Sequence, residues 1–204
     1  MKKLLVIRND RLGDLMLILP ALRVIKSSIP DIEIDCLADE SYKDLSLLSG
    51  DIDNIISDTN LYKSISNQSY NYSISFFSTF NIAYKLWRSN IKRRYAPATK
   101  LAQLFSNRTI KQNRSKSLKP EYEYNNDLAC YFLKDNGFEI NRIDTPFIKL
   151  STQNMIKDES KNNIFIHPFT GGSSKTLSGN DFIKLCLELN LSLIHISEPT
   201  RPYW

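Results

Sequence analysis

The chain has 204 residues, 42% of them hydrophobic, and 27 lysines and arginines against 22 acids give it a net charge of +5 and a pI near 9.0. That hydrophobic content, rich in Tyr and Phe, excludes a disordered chain, and the length suits one large domain or one domain and part of a second. The longest apolar run, residues 15–22, contains Pro20 and is far too short for a bilayer, and the start of the chain lacks the long apolar segment and cleavage site of a secretory leader, so a cytoplasmic protein is expected.

In chain order, residues 2–8 (KKLLVIR) are a continuous apolar run of the kind found in a strand buried on both faces. The polar turn NDRLGD follows. LMLILPALRVIKSSIP then reads as a helix that Pro20 either kinks or opens, because proline is best tolerated in a first turn. Residues 32–39 (IEIDCLAD) predict a second strand, YKDLSLLSGD a short helix closed by Gly50, IDNIISD a third strand and residues 70–78 (YNYSISFFS) a fourth. TFNIAYKLWRSN reads as a helix and KRRYAPA as a fifth strand and turn. A polar, basic, weakly patterned stretch leads to residues 121–137, a helix closed by Gly137 with Leu128, Ala129, Tyr131 and Phe132 at helical spacing. Residues 151–163 are a polar linker; NIFIHPF then predicts a strand, TGGSSKTLSG a turn, and NDFIKLCLEL a helix opening on an Asn or Asp cap. The alternation implies an α/β class, with an open, doubly wound, mostly parallel sheet over residues 1–150 and the start of a second, incomplete unit over 164–190.

Cys36, Cys130 and Cys186 are widely spaced, with no CxxC pair and only two histidines in the chain, which argues against a zinc site or a disulfide framework; buried thiols and no metal are expected. The positive charge concentrates in residues 88–100 and 107–119. Such a surface serves nucleic acid, an anionic membrane face or a phosphorylated substrate, or is simply a solvated face. With no RRM, KH or helix-turn-helix pattern, nucleic acid is the weakest of these and is not expected as a partner.

Two constellations carry chemistry. Gly13-Asp14 falls where the first strand ends, and ligands of doubly wound sheets sit beyond strand ends. A carboxylate there can take a proton from a substrate hydroxyl, or it can merely cap the helix. Within residues 167–177 (HPFTGGSSKTL), the Gly/Ser-rich turn and Lys175 suit a diphosphate, although a structural loop fits as well. It is not a Walker A loop, since Ser174 stands where that motif needs Gly. Residues 191–201 (LSLIHISEPTR) look like the in-frame translation of a sequencing adapter, so 191–204 is expected to be a non-native tail in which His195 has no role; a genuine strand and Pro-containing tail is the alternative.

Residues 7–39, with Gly-Asp-x6-Ala-Leu at their centre, resemble the opening of the glycosyltransferase family 9 enzymes, the ADP-heptose:lipopolysaccharide heptosyltransferases and their relatives. Residues 70–97, 121–137 and 164–185 are similar to later parts of that family. The resemblance implies a GT-B architecture of two Rossmann-like domains, the second C-terminally truncated here, and inverting, metal-independent sugar transfer. The substrate it implies is a nucleotide-diphosphate sugar, ADP-heptose first, and no cofactor is expected. By position Asp14 matches the family's catalytic base, and Thr170, Gly171, Gly172, Ser173, Ser174 and Lys175 match its donor phosphate loop. The segment KTLSGND departs from the family's Trp-Pro pair after that lysine. Arg11, Gly13, Arg93, Arg94 and Lys100 are expected on the acceptor side, facing an anionic lipopolysaccharide-core or related glycolipid, with the protein peripheral at the inner membrane face. A chain truncated in this way is expected to be inactive by itself. The alternative from another class is a non-catalytic Rossmann-like module binding nucleotide or nucleic acid.

Overall fold

The computed structural model describes residues 2–57, 61, 65, 69–77, 79–98, 104–141 and 177–188. The chain divides into two compact units, Met1–Thr152 and Gln153–Trp204. In the first, β1 (Lys2–Ile7), β2 (Ile32–Leu37), β3 (Asn54–Ile56), β4 (Tyr72–Ser75), β5 (Arg93–Pro97) and β6 (Arg108–Ile110) build one sheet in the order β3-β2-β1-β4-β5-β6, with every pairing parallel. This is the Rossmann strand order, and it reverses direction between β1 and β4.

β1 is central because it is apolar on both sides. Leu4 and Val6 point into a core shared with Ile34, Cys36 and Ile74, while Leu5 and Ile7 enter a second core with Leu37, Ile56, Ile82 and Leu86. The first core is closed by α2 (Leu19–Ser28) and α5 (Glu121–Asp135), which pack on each other; the second by α4 (Phe80–Arg88), whose Thr79 side chain accepts the Ile82 N–H as N-cap. The short α3 (Lys43–Leu47) links β2 toward β3, and Gly50 after it takes φ +69°, as Gly137 takes φ +73° after α5, backbone that glycine adopts without strain. Asp35, buried in β2, is satisfied by the Tyr70 hydroxyl at 2.6 Å and the Asn54 amide at 2.8 Å. Burial and that carboxylate push the Tyr70 hydroxyl pKa far above its ordinary value.

Several expectations need correction. The apolar helix is two, α1 (Leu12–Met16) ending before α2 begins, and of the two roles left open for Pro20 the second holds: α2 opens with Pro20 in its first turn. The reason is the missing proline N–H, which a first turn does not need. β6 lies inside the basic stretch that shows no strand pattern, its three residues being too few for an alternation. Of the thiols only Cys36 is buried, its pKa pushed up to about 12 by burial; Cys130 and Cys186 are half-buried.

In the second unit the described helix is α6 (Gly179–Glu188). Its cap is Ser178, earlier than the expected Asn or Asp: the Ser178 hydroxyl accepts the Asp181 N–H at 3.2 Å and donates to the Asp181 carboxylate at 2.6 Å. The predicted linker 151–163, the strand at NIFIHPF and the tail 191–204 lie outside the described residues.

Candidate active site

The chain leaves β1 at Ile7 and places Arg8 at the carboxyl end of the sheet, on the β1 side of the β1–β4 switch. Arg8 is 5% exposed, so its guanidinium must be paired. Its Nη2 lies 2.9 Å from Asp14 Oδ1, its Nε 2.9 Å from Asp10 Oδ1 without the alignment of a hydrogen bond, and its Nη1 4.0 Å from Glu121 Oε1. Nη1 also donates to the Phe76 carbonyl at 3.4 Å, just past the end of β4. One buried cation therefore ties together both strands of the switch, the turn after β1 and the start of α5.

Asp14 sits in the first turn of α1, where a negative charge is favoured by the helix dipole. The N-cap position belongs to Arg11, which makes no side-chain capping bond, so the simple capping role for Asp14 gives way to an ion pair with Arg8. Its side chain stays 35% exposed. Asp10 faces the same cation from the turn. Burial raises its carboxyl pKa above the ordinary value, Asp14 adds to the rise, and Arg8 opposes both. Gly13 is exposed, and a methyl group on it would meet nothing within 4 Å, so packing within this unit does not require glycine there.

α5 completes the arrangement. Glu121, in its first turn, pairs with Arg114, whose Nε donates to Gln112 Oε1 at 2.9 Å and Nη2 to Asn125 Oδ1 at 3.3 Å. Burial holds the Arg114 guanidinium below its ordinary pKa. Asn125 is fully buried and donates to the Leu17 carbonyl at 3.0 Å, filling the gap in the helix ladder that precedes Pro20. The turn that carries Asp14 is thus fixed at Arg8 and at Leu17. Among the described residues no cluster of His, Cys, Asp and Glu is placed to hold a metal ion.

No family model matches the sequence. A protein of Haemophilus influenzae strain Rd described as "Putative glycosyltransferase" is 34% identical over 198 residues, taking in 87% of this chain and 57% of that protein. Escherichia coli heptosyltransferase WaaC with ADP-2-deoxy-2-fluoro heptose superposes with a TM-score of 0.58 at 17% identity, over 71% of this chain and 51% of its own. E. coli ADP-heptose lps heptosyltransferase II gives 0.56 at 15% identity, over 94% and 51%. The glycosyl transferase family 9 structure from Veillonella parvula gives 0.55 at 16%, over 73% and 45%. Over the matched residues this chain shares the fold of these glycosyltransferases. It spans about half the length of these proteins.

Within the shared fold the predicted site residues separate. Arg11, Gly13 and Asp14 stand together at the carboxyl end of β1. Arg93 and Arg94 open β5, and in a parallel sheet a strand's first residues lie toward the opposite end, roughly 10 Å and 7 Å from the level of Ile7 at about 3.3 Å per residue. There the Arg93 guanidinium donates to the side-chain amide oxygen of Asn136, and Arg94 donates to the backbone carbonyls of Ile91 and Phe105. Arg93 and Arg94 therefore do not contact Asp14. Lys100 and the phosphate loop Thr170, Gly171, Gly172, Ser173, Ser174 and Lys175 lie outside the described residues. Sequence reasoning missed Arg8, Asp10, Arg114 and Glu121. The available signal was Arg8 itself, a cation closing an apolar strand six residues before an acid.

Proposed function

We propose that the protein is a glycosyltransferase that moves a sugar from a nucleotide-diphosphate donor, ADP-heptose as first candidate, to a hydroxyl of a lipopolysaccharide-core or related glycolipid at the inner membrane face, with inversion and without a metal. What carries the reading is the half-exposed carboxylate of Asp14, held by a buried arginine at the β1–β4 switch point, where α/β sheets bind ligands. The relative described as a glycosyltransferase and the fold shared with heptosyltransferases, one of them crystallised with ADP-2-deoxy-2-fluoro heptose, support the donor class.

In this reaction the acceptor oxygen forms a bond to the anomeric carbon as its proton passes to Asp14, and the bond from that carbon to the diphosphate breaks with its electron pair leaving on the nucleotide. Arg8 fixes the orientation of the carboxylate through Oδ1. Thr170, Gly171, Gly172, Ser173, Ser174 and Lys175 are the groups proposed to stabilise the leaving diphosphate through N–H, hydroxyl and ammonium donors.

Asp14→Asn in the complete protein tests the assignment. The expected result is a fall in kcat of roughly 10²–10⁴-fold with donor affinity retained, the loss typical of a general base. An unchanged kcat removes Asp14 as the base. No transfer by the unsubstituted complete protein, with nucleotide still bound, favours the non-catalytic binding module.

A further inference from the structure

The outer face of α4 is a built feature that the site above does not use. Ile82, Ala83 and Leu86 bury one side of this helix, while Phe80, Tyr84 and Trp87, four and three residues apart, form a stripe on the other with 59%, 38% and 49% of their surface exposed. An ordinary surface helix carries polar residues there. Phe105, from the turn before β6, gathers the three rings at centroid distances of 5.0 Å to Phe80, 5.7 Å to Tyr84 and 6.0 Å to Trp87. Leu104 beside it is 74% exposed.

This cluster is held in place. Arg94 Nε donates to the Phe105 carbonyl at 2.6 Å, the Arg94 N–H donates to Asn107 Oδ1 at 2.9 Å, and the Asn107 amide donates to the Lys92 carbonyl at 2.7 Å. The surrounding sequence has one sign of charge. Residues 59–120 contain twelve lysines and arginines and no acid. Arg108, Arg114 and Lys119 are paired with carboxylates of α5, whereas Arg88 and Lys92, exposed, bracket the end of the aromatic stripe.

We propose that this face docks on an anionic lipid bilayer, with Phe80, Tyr84, Trp87, Leu104 and Phe105 in the interfacial layer and Arg88 and Lys92 over the headgroup phosphates. Amphipathic rings prefer the boundary between headgroups and acyl chains, and cations beside them add attraction to anionic lipid. Single-stranded nucleic acid would need open ring faces to stack on. Here Phe105 lies edge-on to Phe80 and Tyr84, at 79° and 77°, and the exposed leucine offers a base nothing. A second copy of the chain is also a poor occupant, since it would set the same cations, Arg88 and Lys92, against each other. The proposal is independent of the transfer chemistry: vesicle binding involves no sugar, and Asp14→Asn leaves it unchanged.

The test uses the 204-residue chain with Trp204→Phe, which leaves Trp87 as its single tryptophan. Vesicles containing about one third phosphatidylglycerol in phosphatidylcholine should bind it and shift Trp87 emission to the blue, phosphatidylcholine alone should not, and salt should weaken the binding. In sedimentation, Phe80→Ser combined with Trp87→Ser should lower partition roughly tenfold or more, and Arg88→Glu and Lys92→Glu about fivefold each, with circular dichroism unchanged. All of these positions are exposed, and the charge variants keep the test valid if the ring variant misfolds. The proposal is overturned by absence of anion-dependent binding, by binding that leaves Trp87 emission unchanged, or by partition insensitive to these substitutions. A blue shift given only by single-stranded RNA, or only by self-association in light scattering, overturns it in favour of those occupants.

Discussion

The two ends of α5 share out their arginines differently. At its start, Arg8 and Arg114 meet the carboxylates of Asp10, Asp14 and Glu121. At its finish, beside the opening of β5, only Arg108 meets a carboxylate, that of Asp135, while Arg93 meets the amide oxygen of Asn136 and Arg94 spends its donors on backbone carbonyls. The helix is 15 residues long, about 22 Å at 1.5 Å per residue, so it holds two arginine clusters a sheet's depth apart. A guanidinium shared among carboxylates leaves an acid at the surface in a fixed pose, as the proposed base requires. A guanidinium bonded to carbonyls shapes a turn and presents nothing but that turn. Arginine content alone therefore says little about which end is reactive; the partner decides.

Substitutions can break this contrast. The largest effect on stability is expected from Arg8→Met, about 3 kcal/mol by urea denaturation at neutral pH, because Asp10 and Asp14 are left facing each other without their cation. That loss should lessen in acid as Asp10, its carboxyl pKa raised by burial, protonates. Arg94→Met should cost less, about 1–2 kcal/mol, and its signature is local: faster hydrogen exchange in the turn at residues 104–107 with the β1 amides unaffected. Equal costs for the two, or exchange spreading to β1, would erase the distinction drawn here.

The smallest effect belongs to Tyr95→Phe, about 1 kcal/mol, since the buried Tyr95 hydroxyl donates to Asp135 at 2.6 Å. That bond, with Arg108 in support, holds the Asp135 carboxyl below its ordinary pKa. A depressed carboxylate contributes stability above its unfolded pKa and loses it as pH falls through the folded value. The gap between wild type and Tyr95→Phe should thus be full above about pH 4 and close below it. A gap that widened in acid would contradict the assignment.

What the sequence makes legible follows from where apolar residues dominate. β1, β2 and β4 declare themselves because both faces are buried, and α4 and α5 because one stripe is. β6 is silent: Arg108-Thr109-Ile110 pairs with β5 through its backbone, and side-chain pattern plays no part. Asp14 is legible because glycine and an acid interrupt apolar sequence. Glu121 and Asn125 are not, since what gives them meaning is a helix packed against residues more than a hundred positions earlier. The separation of Arg93 and Arg94 from Asp14 along the sheet is legible too. Parallel strands all point the same way, so residues that open one strand cannot meet residues that follow another.

The bond from Asn125 to the Leu17 carbonyl spans 108 residues of sequence. During synthesis the turn bearing Asp14 leaves the ribosome early, yet its last backbone partner arrives only when α5 does. Long-range closures of this sort are the slow, late steps of assembly. Completion of the domain and fixing of the Asp14 turn become a single event, so a nascent chain that stops short of residue 125 has the Gly-Asp pair in its sequence without the bond that holds its turn.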